Sequence, residues 1–489
     1  MDYFIGVDIG TTGIRAGVYN KEFDLLGNGE GRSIIRKGSG GEIIQLPDEI
    51  YDETANAVKQ AVKTSKIDKR RIACLSFDGQ MAGVMGIDKN WQALTPYDSW
   101  LDTRCSAQVM QIKEKARNRV IEKTGNIPSY NHGPKILWWK ENESDIFREI
   151  QSFIQPGAYV AGRLCGLKGK DAFIDWTYLH FSGLADNRNL KWDADLTGSF
   201  DIPREKLPKI VSPVSIIGST HRGEAELFGI PEGIPVAAGC GDTASCFLGT
   251  GAVERGTAVD VAGTASVFAL ATERFVVDLS GTVYASRSVV EGLWYSMSYI
   301  NGGGLNLEWF KSTFTPGDSF DELNKSINDL DPGSSGLIFI PHLEGRGYPN
   351  IPDMRGQWKG FTRDHTIGHF YRSILEGIGY EYAVYKEKIL DILKSDSAYE
   401  VRVVGGGSKS EVWNQIKADI LGSSYNTINR EDISILGQAI IAASAGGYIK
   451  DISETVKRIV KEKKVFHPDE KNHRVYSEYF SRYKKMLED

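Results

Sequence analysis

The chain has 489 residues, 41% of them hydrophobic and 25% charged, with a formal net charge of −6. That is an ordinary globular composition with room for roughly two to four domains, and the absence of a long basic block argues against nucleic acid as a partner. Five cysteines stand apart at 74, 105, 165, 240 and 246, none in a C-x-x-C pair, which argues against a disulfide framework or a zinc site and fits a reducing cytoplasm.

The apolar run Phe4 to Val7 reads as a buried strand, and no basic, signal-like segment precedes it. It breaks at Gly10-Thr11-Thr12-Gly13, where glycines permit a tight turn, and a second strand leaves from Ile14 to Tyr19. Such a tip offers backbone N–H groups and two hydroxyls, with the Asp8 carboxylate at its base. N–H groups in a turn suit phosphate oxygens, and a carboxylate beside phosphates suits a bridging Mg²⁺. An ordinary Gly-Thr hairpin would read the same way. Residues 21–50 follow as a Gly-rich meander, 48–63 with helical spacing, and 71–77 as another buried strand. That strand runs into Asp78-Gly79-Gln80-Met81-Ala82-Gly83, and strand character resumes over 84–87. Trp100, set between Asp98 and Asp102, is expected half-buried beside a polar pocket, with plain core as the alternative. Helices are expected over 105–123 and 135–149; Asp175-Trp176 and Trp192 read as core, with support of the site from behind it as the alternative, and His132 and His342 as structural.

Residues 234–249 read as a strand, a turn bearing Asp242, and a small-residue helix. A carboxylate at a strand end is placed to take a proton from a hydroxyl; a helix N-cap is the competing reading. Residues 258–270 then mirror the opening stretch: strand, Gly263-Thr264 turn, strand. Two such hairpins about half a chain apart predict two domains with one core design, 1–247 and 248–489, whose tips face a shared cleft. Gly405-Gly406-Gly407, between a strand at 401–404 and a helix at 410–421, marks the second domain as the nucleotide side. The first, with Gln80, Trp100 and Asp102, is the acceptor side. Residues 433–449 read as a close-packed helix, so no membrane span is expected. The basic run 457–464 reads as a solvated helix face and 476–483 as a closing amphipathic helix. Strands and helices mix throughout, the pattern of an α/β architecture. No Walker A motif occurs; the nearest stretch, Gly166 to Asp171, lacks its spacing and hydroxyl.

The ordered set of motifs resembles the FGGY carbohydrate kinases over essentially the whole chain. It comprises Asp8-Ile9-Gly10-Thr11-Thr12, Gly79-Gln80-Met81, Trp100-Leu101-Asp102-Thr103-Arg104, Pro134-Lys135-Ile136-Leu137-Trp138, Gly241-Asp242-Thr243-Ala244, Gly263-Thr264-Ala265, Leu375-Glu376-Gly377-Ile378 and Gly405-Gly406-Gly407-Ser408-Lys409-Ser410. The resemblance implies two ribonuclease-H-like, actin-type domains, an ATP·Mg²⁺ site, and phosphorylation of a ketose or polyol hydroxyl. It assigns Asp242 as general base and sets Asp8, Thr11, Thr12 and Arg15 around the transferring phosphoryl group and its metal, with Asp8 toward the metal. Gly263 and Thr264 become the second phosphate hairpin, and Gly406, Gly407 and Asn414 lie near the adenosine. Gln80, Met81, Trp100, Asp102 and Asp242 line the sugar pocket. Three departures fall on the acceptor side: Ala82 where His is frequent, Leu101 where Asn is usual, and Gly345-Arg346-Gly347-Tyr348-Pro349 in place of Gly-Glu-Arg-x-Pro. A kinase for a different ketose or polyol, a non-metabolic actin-like ATPase and an inactive sugar-binding regulator stand as the competing readings. A homodimer through the second domain is a further expectation.

Overall fold

The computed structural model describes residues 2–395 and 399–488. The chain divides into two compact units. The first comprises Met1–Val253, Ala285–Trp294 and Asp432–Ile459, the second Glu254–Tyr284, Tyr295–Glu431 and Val460–Asp489.

The first unit is built on the expected opening hairpin. Strand β1 (Tyr3–Ile9) pairs antiparallel with β2 (Gly13–Tyr19), Asp8 opposite Arg15, and β3 (Leu25–Arg32) continues the meander on β2. Strand β4 (Ile72–Phe77) lies parallel to β1 on its other side. Strands β5 (Ile216–Ser219) and β6 (Pro235–Ala237) complete the sheet, in the order β5-β6-β4-β1-β2-β3, with β6 parallel to β4. Alternate residues Ile5, Val7 and Ile9 of β1 pack into one core with Ile14, Ala16 and Val18 of β2 and with Tyr51 and Val58 of the helix Pro47–Ser65. The helix expected over 135–149 is two, His132–Asn142 and Ser144–Glu149, the second opening directly on the residue that ends the first.

The helix Ile433–Ala445 packs against β1 and β4, and this is why unit one is discontinuous in sequence. The division 1–247/248–489 leaves that helix with the second domain. The helix approaches so closely that a Cβ on Gly6 would sit 2.0 Å from the carbonyl oxygen of Ile435 and 2.7 Å from the Ala439 nitrogen. A buried polar knot fixes its rotation. Ser76 Oγ donates to Gln438 Oε1 (2.5 Å), Gln438 Nε2 donates to Ser245 Oγ (2.9 Å), and Ser245 Oγ donates to the Ser434 carbonyl (2.8 Å). Thus β4, this helix and the helix Asp242–Thr250 are locked together behind the sheet.

The second unit repeats the hairpin. Strands β7 (Thr257–Ala262) and β8 (Ser266–Thr272) pair antiparallel, and β9 (Glu400–Val404) lies parallel to β7 just as β4 does to β1. Strands β10 (Tyr425–Ile428) and β11 (Glu462–Phe466) extend the sheet. The basic run 457–464 is therefore not one helix face: the helix Ile452–Ile459 ends within it and β11 begins. The closing helix expected at 476–483 spans Glu470–Glu488. It is tied to the buried helix Ile367–Leu393 by Tyr483 Oη, which donates to Glu381 (2.6 Å), and by Tyr476 Oη, which donates to Glu376 (3.0 Å). Among the described residues, no helix is long and apolar enough to cross a membrane.

The contact at Gly6 generates a paired prediction. Gly6→Ala forces a methyl into helix backbone and should lower stability by about 1–3 kcal/mol or more. Gly198→Ala, in a helix with nothing within 4 Å of the new methyl, should raise it by up to about 1 kcal/mol. Urea-denaturation midpoints for the two variants should move in opposite directions.

Candidate active site

Three neighbouring parallel strands, β6, β4 and β1, run side by side, and a carboxylate stands at or beyond the C-terminal end of each. Ligands of open α/β sheets bind at such ends. Asp8 is the penultimate residue of β1. Asp78 directly follows β4; its N–H donates to the Val7 carbonyl (2.9 Å) and its Oδ1 accepts the Ile9 N–H (3.0 Å). Asp242 follows β6, and its N–H donates to the Gly79 carbonyl (3.0 Å), where Gly79 and Gly241 form a parallel bridge. The N-cap reading for Asp242 does not hold, because Gly241 occupies the cap and Asp242 is the first helical residue. Asp242 Oδ1 accepts from the N–H (2.6 Å) and the hydroxyl (3.1 Å) of Thr243.

Burial, with the Asp8 charge adding to it, pushes the Asp242 carboxyl up to about 7 despite those two bonds. Burial also raises Asp8, offset in part by Asp78 and by the Arg15 guanidinium. Asp78 is raised further, by burial and then by the charges of Asp8 and Asp242. Asp8 and Asp242 remain partly exposed, while Asp78 is fully enclosed.

The turn that carries Asp242 is held from below. Asp175 Oδ1 accepts from the N–H (2.8 Å) and hydroxyl (2.6 Å) of Thr177, and Thr177 Oγ1 in turn accepts the Gly241 N–H (2.9 Å). Tyr178 Oη donates to the Gly79 carbonyl (2.9 Å). Asp175 thus supports the site through two bonds, where the sequence reads it as core. Asp78 is not among the candidates read from the sequence, where it stands only as the residue after the 71–77 strand.

The other acceptor-side residues gather on the same unit. Trp100 is 41% exposed, and its indole N–H donates to Thr11 Oγ1 (2.9 Å), joining the Trp-x-Asp stretch to the hairpin tip that also carries exposed Thr12. Gln80 is buried; its Nε2 donates to Gln45 Oε1 (2.7 Å), and its Oε1 is buried with no partner. The Met81 carbonyl is met by His132 Nε2 at 2.5 Å, and burial pushes that imidazole down to about 4, so it is neutral and structural. Asp102 is spent on scaffolding. Its oxygens accept from the Ile43 N–H (2.9 Å) and from the Arg104 N–H (3.0 Å) and Nε (2.9 Å), and Arg104 also pairs with Asp98 (2.6 Å) and Glu42 (2.9 Å). Lys135 Nζ donates to the Asp102 carbonyl (2.8 Å), and Trp139 Nε1 to Asp98 (2.6 Å).

The second unit holds the remaining candidates. At the β7–β8 tip the carbonyls of Gly263 and Thr264 accept the N–H groups of Gly304 (2.9 Å) and Leu305 (3.1 Å), from the first turn of the helix Gly303–Phe314. Thr264 itself is exposed. Beyond β9, Gly405 takes φ +86°, where a Cβ would lie 2.7 Å from the Ala262 carbonyl oxygen, so only glycine lets this turn meet the hairpin. Gly406 and Gly407 form a short 3₁₀ turn before the helix Glu411–Leu421, which Ser410 caps. Asn414 Nδ2 donates to the Ser408 carbonyl (2.8 Å), fixing the turn. Beneath it, buried Lys417 pairs with Asp260 of β7, which also accepts from Tyr382 Oη (2.8 Å).

Comparison with known proteins gives the family. Residues 3–249 match the N-terminal domain, and residues 256–446 the C-terminal domain, of the FGGY family of carbohydrate kinases. Xylulose kinase of Bacillus subtilis is 28% identical over 99% of this chain and 97% of its own length. Gluconokinase of the same species is 27% identical over 91% and 88%. The crystal structure of gluconate kinase from Lactobacillus acidophilus superposes with a TM-score of 0.93 at 23% identity, covering 99% of this chain and 97% of that one. The chain belongs to the FGGY family of carbohydrate kinases.

Proposed function

We propose that this ATP-dependent sugar kinase transfers the γ-phosphoryl group of Mg·ATP to a hydroxyl of a ketopentose, D-xylulose first, with Asp242 as general base. The observation that carries the reading is the Asp242 carboxylate: partly exposed, at a strand end, first in its helix, and with its proton affinity raised to about 7. A base poised near neutrality is the one best matched to taking a proton from a sugar hydroxyl. As the acceptor oxygen forms its bond to the γ-phosphorus, Asp242 takes the hydroxyl proton, the bond to the β–γ bridging oxygen breaks, and ADP leaves.

The remaining residues supply position and charge, which is most of what phosphoryl transfer requires. Thr11, Thr12 and Arg15 would meet the phosphoryl oxygens, and Gly263, Thr264, Gly406, Gly407 and Asn414 would meet the nucleotide on the second unit. Mg²⁺ held by Asp8 would neutralise phosphate charge; the buried carboxylate beside it, with an oxygen lacking any donor, suits a cation there. Gln80, Met81 and Trp100 would hold the sugar, with the unpartnered Gln80 Oε1 as acceptor for a hydroxyl, and Asp102 would contribute by fixing Arg104.

Charge favours a neutral sugar over an aldonate. Beside the acceptor residues, Arg104 is already shared among Asp98, Asp102 and Glu42, and Lys135 is buried against the Asp102 carbonyl. A substrate carboxylate would meet the charges of Asp8 and Asp242 with neither cation to spare. Cytoplasmic location, resting on the cysteine usage, is part of the same proposal.

In an ADP-release assay with Mg·ATP, xylulose or ribulose should support turnover, and gluconate should be a poor acceptor by at least about tenfold in kcat/KM, the effect of about 1.4 kcal/mol. Asp242→Ala should lose about 10²–10⁴-fold in kcat; full activity in that variant would remove Asp242 as base. The pH dependence has a defined sign. Below about 7 the Asp242 carboxyl carries a proton and cannot accept another. A kcat/KM profile should therefore fall toward acid with an apparent pKa at or below about 7, a bound cation moving it lower, and flatten above.

A further inference from the structure

Asp78 carries the strongest unexplained feature of the molecule. Its side chain is fully buried, it caps no helix, and one oxygen is fixed by the Ile9 N–H at 3.0 Å. The other oxygen, Oδ2, is buried and receives no N–H or hydroxyl from the described protein. The carboxyl group lies within hydrogen-bonding reach of Asp8 and close to Asp242, and among the described residues the cationic side chain that acts on Asp8 is Arg15, across the hairpin from it. A buried carboxylate with no counter-charge is strongly disfavoured, so the side-by-side pair Asp8 and Asp78 is relieved either by a shared proton or by a bound cation.

We propose that Asp78 is a second carboxylate for the divalent cation, sharing with Asp8 the Mg²⁺ that accompanies the nucleotide. The proposal rests on the reading of Asp8 given above and extends it to a residue that lies one place outside the Gly-Gln-Met motif. The backbone makes the pairing specific: the Asp78 N–H and Oδ1 are bound to residues on either side of Asp8, Val7 and Ile9, which holds the two carboxyl groups side by side. Among the described residues no group of three or more His, Cys, Asp and Glu could hold a metal, so the cation would take two protein carboxylates and complete its shell with water and phosphate oxygens. Mg²⁺ is usually bound in this way, with few protein ligands and most of its waters kept.

The test uses Mn²⁺ as probe and water-proton relaxation as readout, with and without ADP, on the wild type, Asp8→Asn and Asp78→Asn. The asparagine keeps an acceptor for the Ile9 N–H, so the local fold is preserved. Asp78→Asn should weaken Mn²⁺ binding at least about tenfold, the lower bound even for losing an outer partner of a metal ligand, with metal-free ADP binding unchanged. If Asp8→Asn loses Mn²⁺ while Asp78→Asn binds it as the wild type does, Asp78 is no ligand and the kinase reading stands. A wild type that holds no Mn²⁺ even with ADP would overturn both this inference and the metal role of Asp8. Should Asp78→Asn fail to fold, Asp78→Cys supplies the second measurement. Thiolates prefer soft metals, so that variant should gain a Cd²⁺ charge-transfer band absent from the wild type. Its absence from folded protein overturns the proposal.

Discussion

The site depends on one constraint: β1, β4 and the segment after β6 are in register where they leave the sheet. Two backbone bonds, from Asp78 N–H to Val7 and from Asp242 N–H to Gly79, and one from the Ile9 N–H to the Asp78 side chain impose it. Each is short-range, yet together they bring residues 8, 78 and 242 into mutual electrostatic contact. Repulsion among three carboxylates works against that convergence, and nothing local offsets it beyond Arg15 and a few N–H donors. The packing behind the sheet therefore has to hold it. Gly6, Ser76, Gln438 and Ser245 tie β1, β4 and the Asp242 helix to the helix Ile433–Ala445, all fully buried. Functional groups that would rather be apart are kept together by a core that does not allow them to separate.

The second unit uses the same hairpin-plus-parallel-strand design to a different end. Where β4 of the first unit runs into Asp78, β9 runs into Gly405, and the carboxylates are replaced by backbone. The charged pair of the second unit, Lys417 with Asp260, is instead wholly buried beneath the turn. One copy of the design thus presents acids at its strand ends and the other presents glycine turns and a helix N-terminus. Backbone N–H groups at a turn or helix N-terminus suit an anion, and clustered carboxylates suit a cation.

The hairpins, the strands beside them and the glycine turns were legible in the sequence because each is written in local turn chemistry. Gly-Thr-Thr-Gly and Gly-Thr-Ala between apolar runs have few other solutions. What could not be read was anything decided by partners far along the chain. The helix Ile433–Ala445 was recognised as close-packed, but that it packs on Gly6, over 400 residues earlier, has no local signature. Asp175 looked like core because its role passes through Thr177 to Gly241. Asp78 carries no local signal of its own, because its neighbours Asp8 and Asp242 lie far away in the chain. Asp102 shows the opposite case: an acid beside an aromatic residue reads as a binding group, and in the structure both its oxygens accept from Ile43 and Arg104.

That last case separates two kinds of buried polar group. Asp98, Asp102, Arg104, Lys135 and Trp139 satisfy one another, and such a saturated network gives a pocket wall its shape and a nearly neutral charge. Asp78 Oδ2 and Gln80 Oε1 are buried and left without donors, each carrying a desolvation penalty of about 1–3 kcal/mol that folding does not recover. A protein tolerates such atoms where a bound group completes them. The two lie two residues apart on one turn, one an anionic oxygen suited to a cation and the other a neutral oxygen suited to a hydroxyl. In this segment Asp78 Oδ2 and Gln80 Oε1 are therefore the atoms with interactions still to make.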